Sequence, residues 1–234
     1  MANQDSTRWW LAAEATLVLA VVSMPVCFGG SPEWTLPLLV GTSSLSLLTW
    51  FIGAWKHRRR VTWHRLLWLP VGLSVVALLT VLPLPPAVLA ALSPANAELR
   101  DFSLVPLGLE RWRPLSADAP STFRALARIL ALASLCFVSL QLGRLEASRR
   151  RMLGALAISG ALVAIVGFGH LLAGADSLFG VHHFVGNLPL LTFFGNTNHL
   201  AAYLAFSATV GLALALDAPS REAAIGWGAV ALVV

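Results

Sequence analysis

The chain has 234 residues, of which 57% are hydrophobic and only 12% are charged, and its mean hydropathy is +0.76. A soluble globular domain carries about 25% charged residues, so this composition excludes an ordinary soluble protein and predicts an integral membrane protein. The formal net charge of +5 does not indicate nucleic-acid binding, because the basic residues fall in short clusters between apolar segments. We therefore expect membrane lipids, and no nucleic acid, as partners.

The apolar segments are long and do not alternate with polar residues, which predicts membrane-spanning α-helices. We expect an all-α, multi-pass transmembrane helical bundle forming one domain over residues 1–234, with about six full spans and a truncated seventh. The full spans are predicted at about residues 10–28, 34–55, 66–82, 122–142, 152–172 and 199–216. The seventh, from Ala223 to Val234, is shorter than the ~20 residues that a spanning helix needs, so we expect an incomplete C-terminus.

The first two predicted spans contain a carboxylate and a group of small residues. Glu14 lies near the start of the first span, where it is either solvated close to the lipid headgroups or paired with an arginine of another helix. The second span has small residues that favour close helix packing, namely Gly41, Thr42, Ser43, Ser44 and Ser46.

Two basic clusters set the predicted topology. They lie at residues 56–60 and 149–151, and the positive-inside rule places both in the cytoplasm, together with the N-terminus. The first cluster has a lipid-headgroup site as its alternative interpretation. The two long loops, residues 85–121 and 174–197, then face outside, and a short interfacial helix is predicted at about residues 86–92.

Arg124 and Arg128 lie one helical turn apart at the outer end of the fourth span, for which Ser121 is the predicted cap. An arginine near the centre of a spanning helix costs about 2.5–3.5 kcal/mol, and less toward the interface, which favours an anionic partner. Two planar guanidinium groups at this spacing suit a diphosphate. The alternatives are snorkelling to the interface or salt bridges, for which the candidate partners are Asp118, Asp101 and Glu110.

The densest polar cluster of the chain lies at residues 193–203. Asn196 or Asn198 is predicted to cap a helix that begins near His199. The positive end of that helix then points into the loop, which favours a phosphate or a carboxylate. The alternative interpretation is a well-capped transmembrane helix with no ligand.

Four histidines, at positions 170, 182, 183 and 199, fall on the predicted outer side. Adjacent histidines rarely bind one ion, and no carboxylate or cysteine completes a ligand spacing, so we expect no metal site and no cofactor. His199 and His170 are candidate general bases for a sugar hydroxyl, with capping or interfacial roles as the alternative.

The stretch FGNTNHLAAYL at residues 194–204 resembles the signature of the O-antigen ligase and O-antigen polymerase family, roughly F-G-N-P-N-H-x-A-x-Y-L, with Thr197 in place of the proline. Two further stretches are similar to that family. One is LPLPP at residues 82–86 followed by LSP at 92–94, and the other is PLSAD at 114–118 leading to Thr122 and Arg124. The similarity covers about residues 65–216.

The resemblance implies a polytopic, metal-independent glycosyltransferase of the bacterial inner membrane, active in lipopolysaccharide biosynthesis. It implies transfer of a glycan from undecaprenyl diphosphate to an acceptor glycan, such as the lipid A core, on the periplasmic side. Arg124 and Arg128 then bind phosphate. The residues that line the substrate pocket are Gly195, Asn196, Asn198 and His199. The catalytic histidine of the family lies later in the chain than Val234, so no catalytic residue is assigned and enzymatic competence stays open.

Two interpretations from other classes remain open. One is a non-catalytic membrane scaffold, which an incomplete C-terminal half favours. The other is a polytopic transporter or flippase, which should have related halves and broken helices near the membrane midplane. The sequence has no clear internal repeat, and its prolines lie at the ends of the predicted spans.

Overall fold

The computed structural model describes residues 2–30, 32–104, 106, 108, 112–183 and 190–234. Within these residues the chain forms nine α-helices and one pair of short β-strands. In chain order they are α1 (Ala2–Val26), α2 (Thr35–Lys56), α3 (Trp68–Val81), β1 (Pro83–Leu84), α4 (Pro86–Leu92), α5 (Pro94–Leu104), β2 (Arg113–Pro114), α6 (Ala119–Leu142), α7 (Glu146–Leu172), α8 (Thr197–Leu216) and α9 (Arg221–Val233). The predicted all-α class is confirmed.

Five helices are long and apolar enough to cross a membrane: the Arg8–Val26 part of α1, and α2, α6, α7 and α8. They expose large apolar side chains, such as Leu172 at 87% and Leu216 at 83%. Extensive exposed apolar surface marks a lipid-facing protein, so the chain is membrane-embedded. The predicted third span forms a shorter apolar helix, Arg65–Val81, and α9 has 13 residues. The described residues therefore contain five helices of clear spanning length, and the predicted count of six full spans is not confirmed.

The helices form two compact units, and the division falls within α6. The first unit comprises residues 1–62 and 137–234, and the second comprises residues 63–136. The first unit contains α1, α2, the last turns of α6, α7, α8 and α9. The second contains α3, both strands, α4, α5 and most of α6.

In the first unit, α1 and α2 pack closely through small side chains. Of the five small residues predicted to pack there, Thr42, Ser43 and Ser46 are buried, whereas Gly41 and Ser44 are exposed. The Ser46 hydroxyl donates to the carbonyl oxygen of Ala13 at 2.9 Å. An interhelical hydrogen bond of this kind satisfies a hydroxyl that has no access to water in a bilayer. This hydrogen bond joins the middle of α1 to the middle of α2.

The glycine-rich helix α7 packs against α8 and α9 through close approaches at two glycines. A Cβ at Gly160 would lie 2.2 Å from the Cβ of Ser207, and a Cβ at Gly154 would lie 2.8 Å from the ring of Trp227. Glycine is required there because no larger side chain fits at these distances. The packing fixes the position of α8, which carries the asparagine-rich motif at its start.

In the second unit, the predicted short helix at residues 86–92 is confirmed as α4. The segment after it is more ordered than its polar composition predicts, because it forms α5 and an antiparallel pairing of Leu84 with Arg113. Arg113 is buried and donates to the Asp101 carboxylate at 3.0 Å. Glu110, a predicted ion-pair partner, lies outside the described residues.

Candidate functional site

The start of α6 is capped by Asp118, and the prediction that Ser121 is the cap was wrong. The helix begins at Ala119, and the Asp118 carboxylate accepts the backbone N–H of Ser121 at 3.1 Å. The Ser121 hydroxyl donates to the other carboxylate oxygen. These two bonds, first the hydroxyl and then the N–H, lower the pKa of Asp118, and the positive charge of Arg124 adds to the effect.

Arg124 and Arg128, named here the α6 arginine pair, lie one turn apart and are both exposed. Arg124 donates from Nη2 to the Ser121 hydroxyl at 2.7 Å, so it belongs to the Asp118 cap network. The Arg128 side chain makes no hydrogen bond or ion pair with any described residue. Four residues along a helix amount to about 6 Å, so the two guanidinium groups can reach a common ligand.

The salt-bridge alternatives for the pair have different outcomes. Asp101 is bound by Arg113 instead. Asp118 lies near Arg124 and contributes to its network through Ser121. Arg128 has no carboxylate partner in the described part of the chain. If no ligand binds Arg128, snorkelling to the membrane interface is the remaining explanation of how its charge is accommodated.

The loop before α8 is anchored by Phe194, the first residue of the family-like stretch. Its ring is buried, lies 5.4 Å from the ring of Tyr203 and approaches Gly29. Its backbone N–H donates to the hydroxyl of Thr192, which is fully buried. The Tyr203 hydroxyl in turn donates to Ser159 on α7 at 2.8 Å. The aromatic contacts thus fix the loop against α7 and α8.

Asn196 caps α8, as one of the two sequence alternatives predicts. Its backbone is extended, and its side-chain oxygen accepts the N–H of Asn198 at 2.9 Å. The helix begins at Thr197, two residues before the predicted start. Gly195, Asn198 and His199 are exposed, and the side chains of Asn198 and His199 make no hydrogen bond with the described residues. Their donors and acceptors therefore remain available to a ligand.

The other three histidines that the sequence predicts on the outer side differ in their contacts. His170 binds the carbonyl oxygen of Val166 through Nδ1 at 2.7 Å and accepts the N–H of Phe179 at Nε2 at 3.0 Å. The two ring nitrogens of His170 thus connect the end of α7 to the turn that contains Phe179. His182 pairs through its backbone with Leu178, and His183 is exposed. No three His, Cys, Asp or Glu side chains among the described residues are placed to hold a metal ion.

Sequence reasoning left the partner of Glu14 open, and the structure provides one. Glu14 is buried on α1, and Arg151 of α7 donates to both of its carboxylate oxygens, with Nη2 2.7 Å from Oε2. Ser148 accepts from the same guanidinium at 3.4 Å. The sequence signal is a carboxylate within a span and an arginine near the start of another, but these residues are 137 positions apart.

The predicted site residues therefore form two local groups. Arg124 and Arg128 lie on one exposed turn of α6 in the second unit, whereas Gly195, Asn196, Asn198 and His199 lie at the start of α8 in the first. In comparisons with known proteins, no family model, no curated protein and no solved structure matches the chain.

Proposed function

We propose that this protein is a membrane glycan transferase of the O-antigen ligase type. It moves a glycan from undecaprenyl diphosphate to an acceptor sugar, such as one of the lipid A core. The proposal places the chain in a bacterial inner membrane, with the N-terminus and both basic clusters in the cytoplasm and residues 85–121 and 174–197 in the periplasm.

The observation that carries the proposal is the α6 arginine pair. Arg124 and Arg128 are exposed on one face of a helix of spanning length, and Arg128 has no anionic partner among the described residues. An uncompensated cation on such a helix favours an anionic ligand from the membrane. A lipid diphosphate fits because its two phosphates offer paired oxygen acceptors to two guanidinium groups.

The start of α8 supports the proposal separately. Asn196 is used as the helix cap, while Asn198 and His199 leave their side chains free of described protein partners. Amide and imidazole groups bind sugar hydroxyls, and the helix N-terminus favours an anion. In the proposal Gly195, Asn198 and His199 contact the glycan or its diphosphate.

The transporter alternative predicts discontinuous helices at the membrane midplane. The five helices of spanning length are each one uninterrupted α-helix over their described ranges. That continuity favours the transferase proposal over the transporter alternative.

Binding of undecaprenyl diphosphate to the purified chain in lipid nanodiscs tests the proposal. We expect saturable binding that the Arg124→Ala/Arg128→Ala double variant abolishes. The matched control is Arg65→Ala/Arg221→Ala, which removes the same charge from two exposed arginines outside both basic clusters. Retained binding in the first double variant, or an equal loss in the control, would refute the assignment of the pair.

A further inference from the structure

The first unit contains an apolar groove that ends at an arginine. The groove has a volume of about 280 Å³ and lies between α1, the end of α6 and the first half of α7. Its walls are mainly half-buried aliphatic side chains, which include Val18, Val22, Leu153 and Leu156. Arg149 provides the one charged side chain of the lining.

Arg149 differs from its two neighbours in the basic cluster. Arg150 is paired with Glu146 and with Asp217, and Arg151 is paired with Glu14. Arg149 has no carboxylate partner in the described part of the chain, and the one hydrogen bond of its side chain, to the carbonyl oxygen of Gly143, is long at 3.4 Å. Its positive charge is therefore left for a ligand.

The groove matches a phospholipid in polarity, because it combines an apolar wall for an acyl chain with one cationic side chain for the headgroup phosphate. Arg149 lies in the first turn of α7, at the end of a helix of spanning length, where lipid phosphates are found. From Arg149 to Leu156 the helix rises about 10 Å, which is less than the ~15 Å hydrocarbon depth of one leaflet. An acyl chain can therefore follow the groove while the headgroup phosphate meets the guanidinium.

We propose that this groove binds one anionic phospholipid, with its phosphate on Arg149 and an acyl chain between α1 and α7. Charge complementarity selects an anionic lipid, because the neighbouring carboxylates are already occupied by Arg150 and Arg151. The site is distinct from the α6 arginine pair and does not depend on the proposed function.

Titration of the detergent-purified full chain with phosphatidylglycerol, followed by native mass spectrometry, tests the site. We expect one tightly bound phosphatidylglycerol and weaker binding of phosphatidylcholine. Arg149→Ala should weaken phosphatidylglycerol binding about fivefold, which is the equivalent of about 1 kcal/mol. Arg149→Lys should retain most of the affinity because it keeps the charge.

Three controls distinguish a defined lipid site from general electrostatic attraction to the membrane. Arg221→Ala removes an exposed arginine at the start of α9 and should leave the affinity unchanged. Ala155→Phe fills the groove and should lower the binding of both lipids, and glycerol phosphate, which lacks acyl chains, should not compete. Equal affinities of wild type and Arg149→Ala, equal binding of the two lipids, or full competition by glycerol phosphate would each overturn the proposal.

Discussion

Removal of Arg151 should destabilise the protein more than removal of the Glu14 charge. Glu14 has a side chain that is 7% exposed, whereas the Arg151 side chain is 51% exposed. Arg151→Ala therefore leaves a buried carboxylate without its cation, while Glu14→Gln leaves an arginine that water or lipid headgroups can solvate. The two single variants should differ although they break the same contact.

The size of the effect follows from the geometry. At 2.7 Å between Nη2 and Oε2, an effective dielectric constant of ~20 gives a gross attraction of about 6 kcal/mol. Breaking a fully buried pair costs about 3–5 kcal/mol, and the half-exposed arginine lowers this to about 2–3 kcal/mol. For a chain of this length that loss lowers the melting temperature by about 4–12 °C.

Thermal unfolding in detergent micelles, with a double-mutant cycle, measures these differences. We expect Arg151→Ala to lose about 2–3 kcal/mol, Glu14→Gln to lose less, and the combined variant to be less destabilised than the sum of the two. Arg221→Ala serves as the control for loss of one arginine. A larger loss for Glu14→Gln than for Arg151→Ala, or strict additivity in the double variant, would refute the reasoning.

Three further predictions, on the α8 cap, the α7–α8 packing and the α6 cap, are tested by the same thermal assay. Asn196→Ala should lower the free energy of unfolding by about 1 kcal/mol because it removes the cap of α8, whereas Asn196→Asp should lower it little. Equal losses in the two variants would contradict the capping role of Asn196. Gly160→Ala should lower the free energy of unfolding by about 1–3 kcal/mol because its new Cβ meets Ser207. Gly169→Ala, whose Cβ would have open space around it, should leave that free energy unchanged. The contribution of Asp118 to the free energy of unfolding should be complete above the ordinary carboxyl pKa of 3.8. It should decline as the pH falls toward the lowered pKa of the folded state. Asp118→Asn should remove that decline, and an unchanged pH profile would count against the carboxylate cap.

The local features of the fold could be predicted from the sequence because they depend on neighbouring residues. The α8 cap requires only that the Asn196 side chain accept the backbone N–H of the residue two positions later in the chain. The helix α4 requires only a proline at its start and a short apolar run after it. The wrong cap at Ser121 arose because two capping residues lie three positions apart, and Pro120 in the first turn was the signal for the earlier start.

The tertiary contacts could not be predicted in the same way. Glu14 and Arg151 are 137 residues apart, and the sequence does not specify which spans become neighbours. The helix α5 was missed because its polar composition resembles a loop, although Pro94 marks its start. The α6 arginine pair was identified as a candidate from its spacing alone, whereas the lack of a described partner for Arg128 required the structure.

Labelling that shows which side of the membrane the start of α8 faces tests the proposed periplasmic glycan-transfer site most directly. In a background with Cys27 and Cys136 replaced by alanine, single cysteines at Asn198 and Arg60 are treated with a membrane-impermeant maleimide in intact spheroplasts. We predict labelling of Asn198→Cys in intact spheroplasts and of Arg60→Cys only after lysis. Labelling of Arg60→Cys from outside, with Asn198→Cys protected until lysis, would contradict a periplasmic glycan-transfer site.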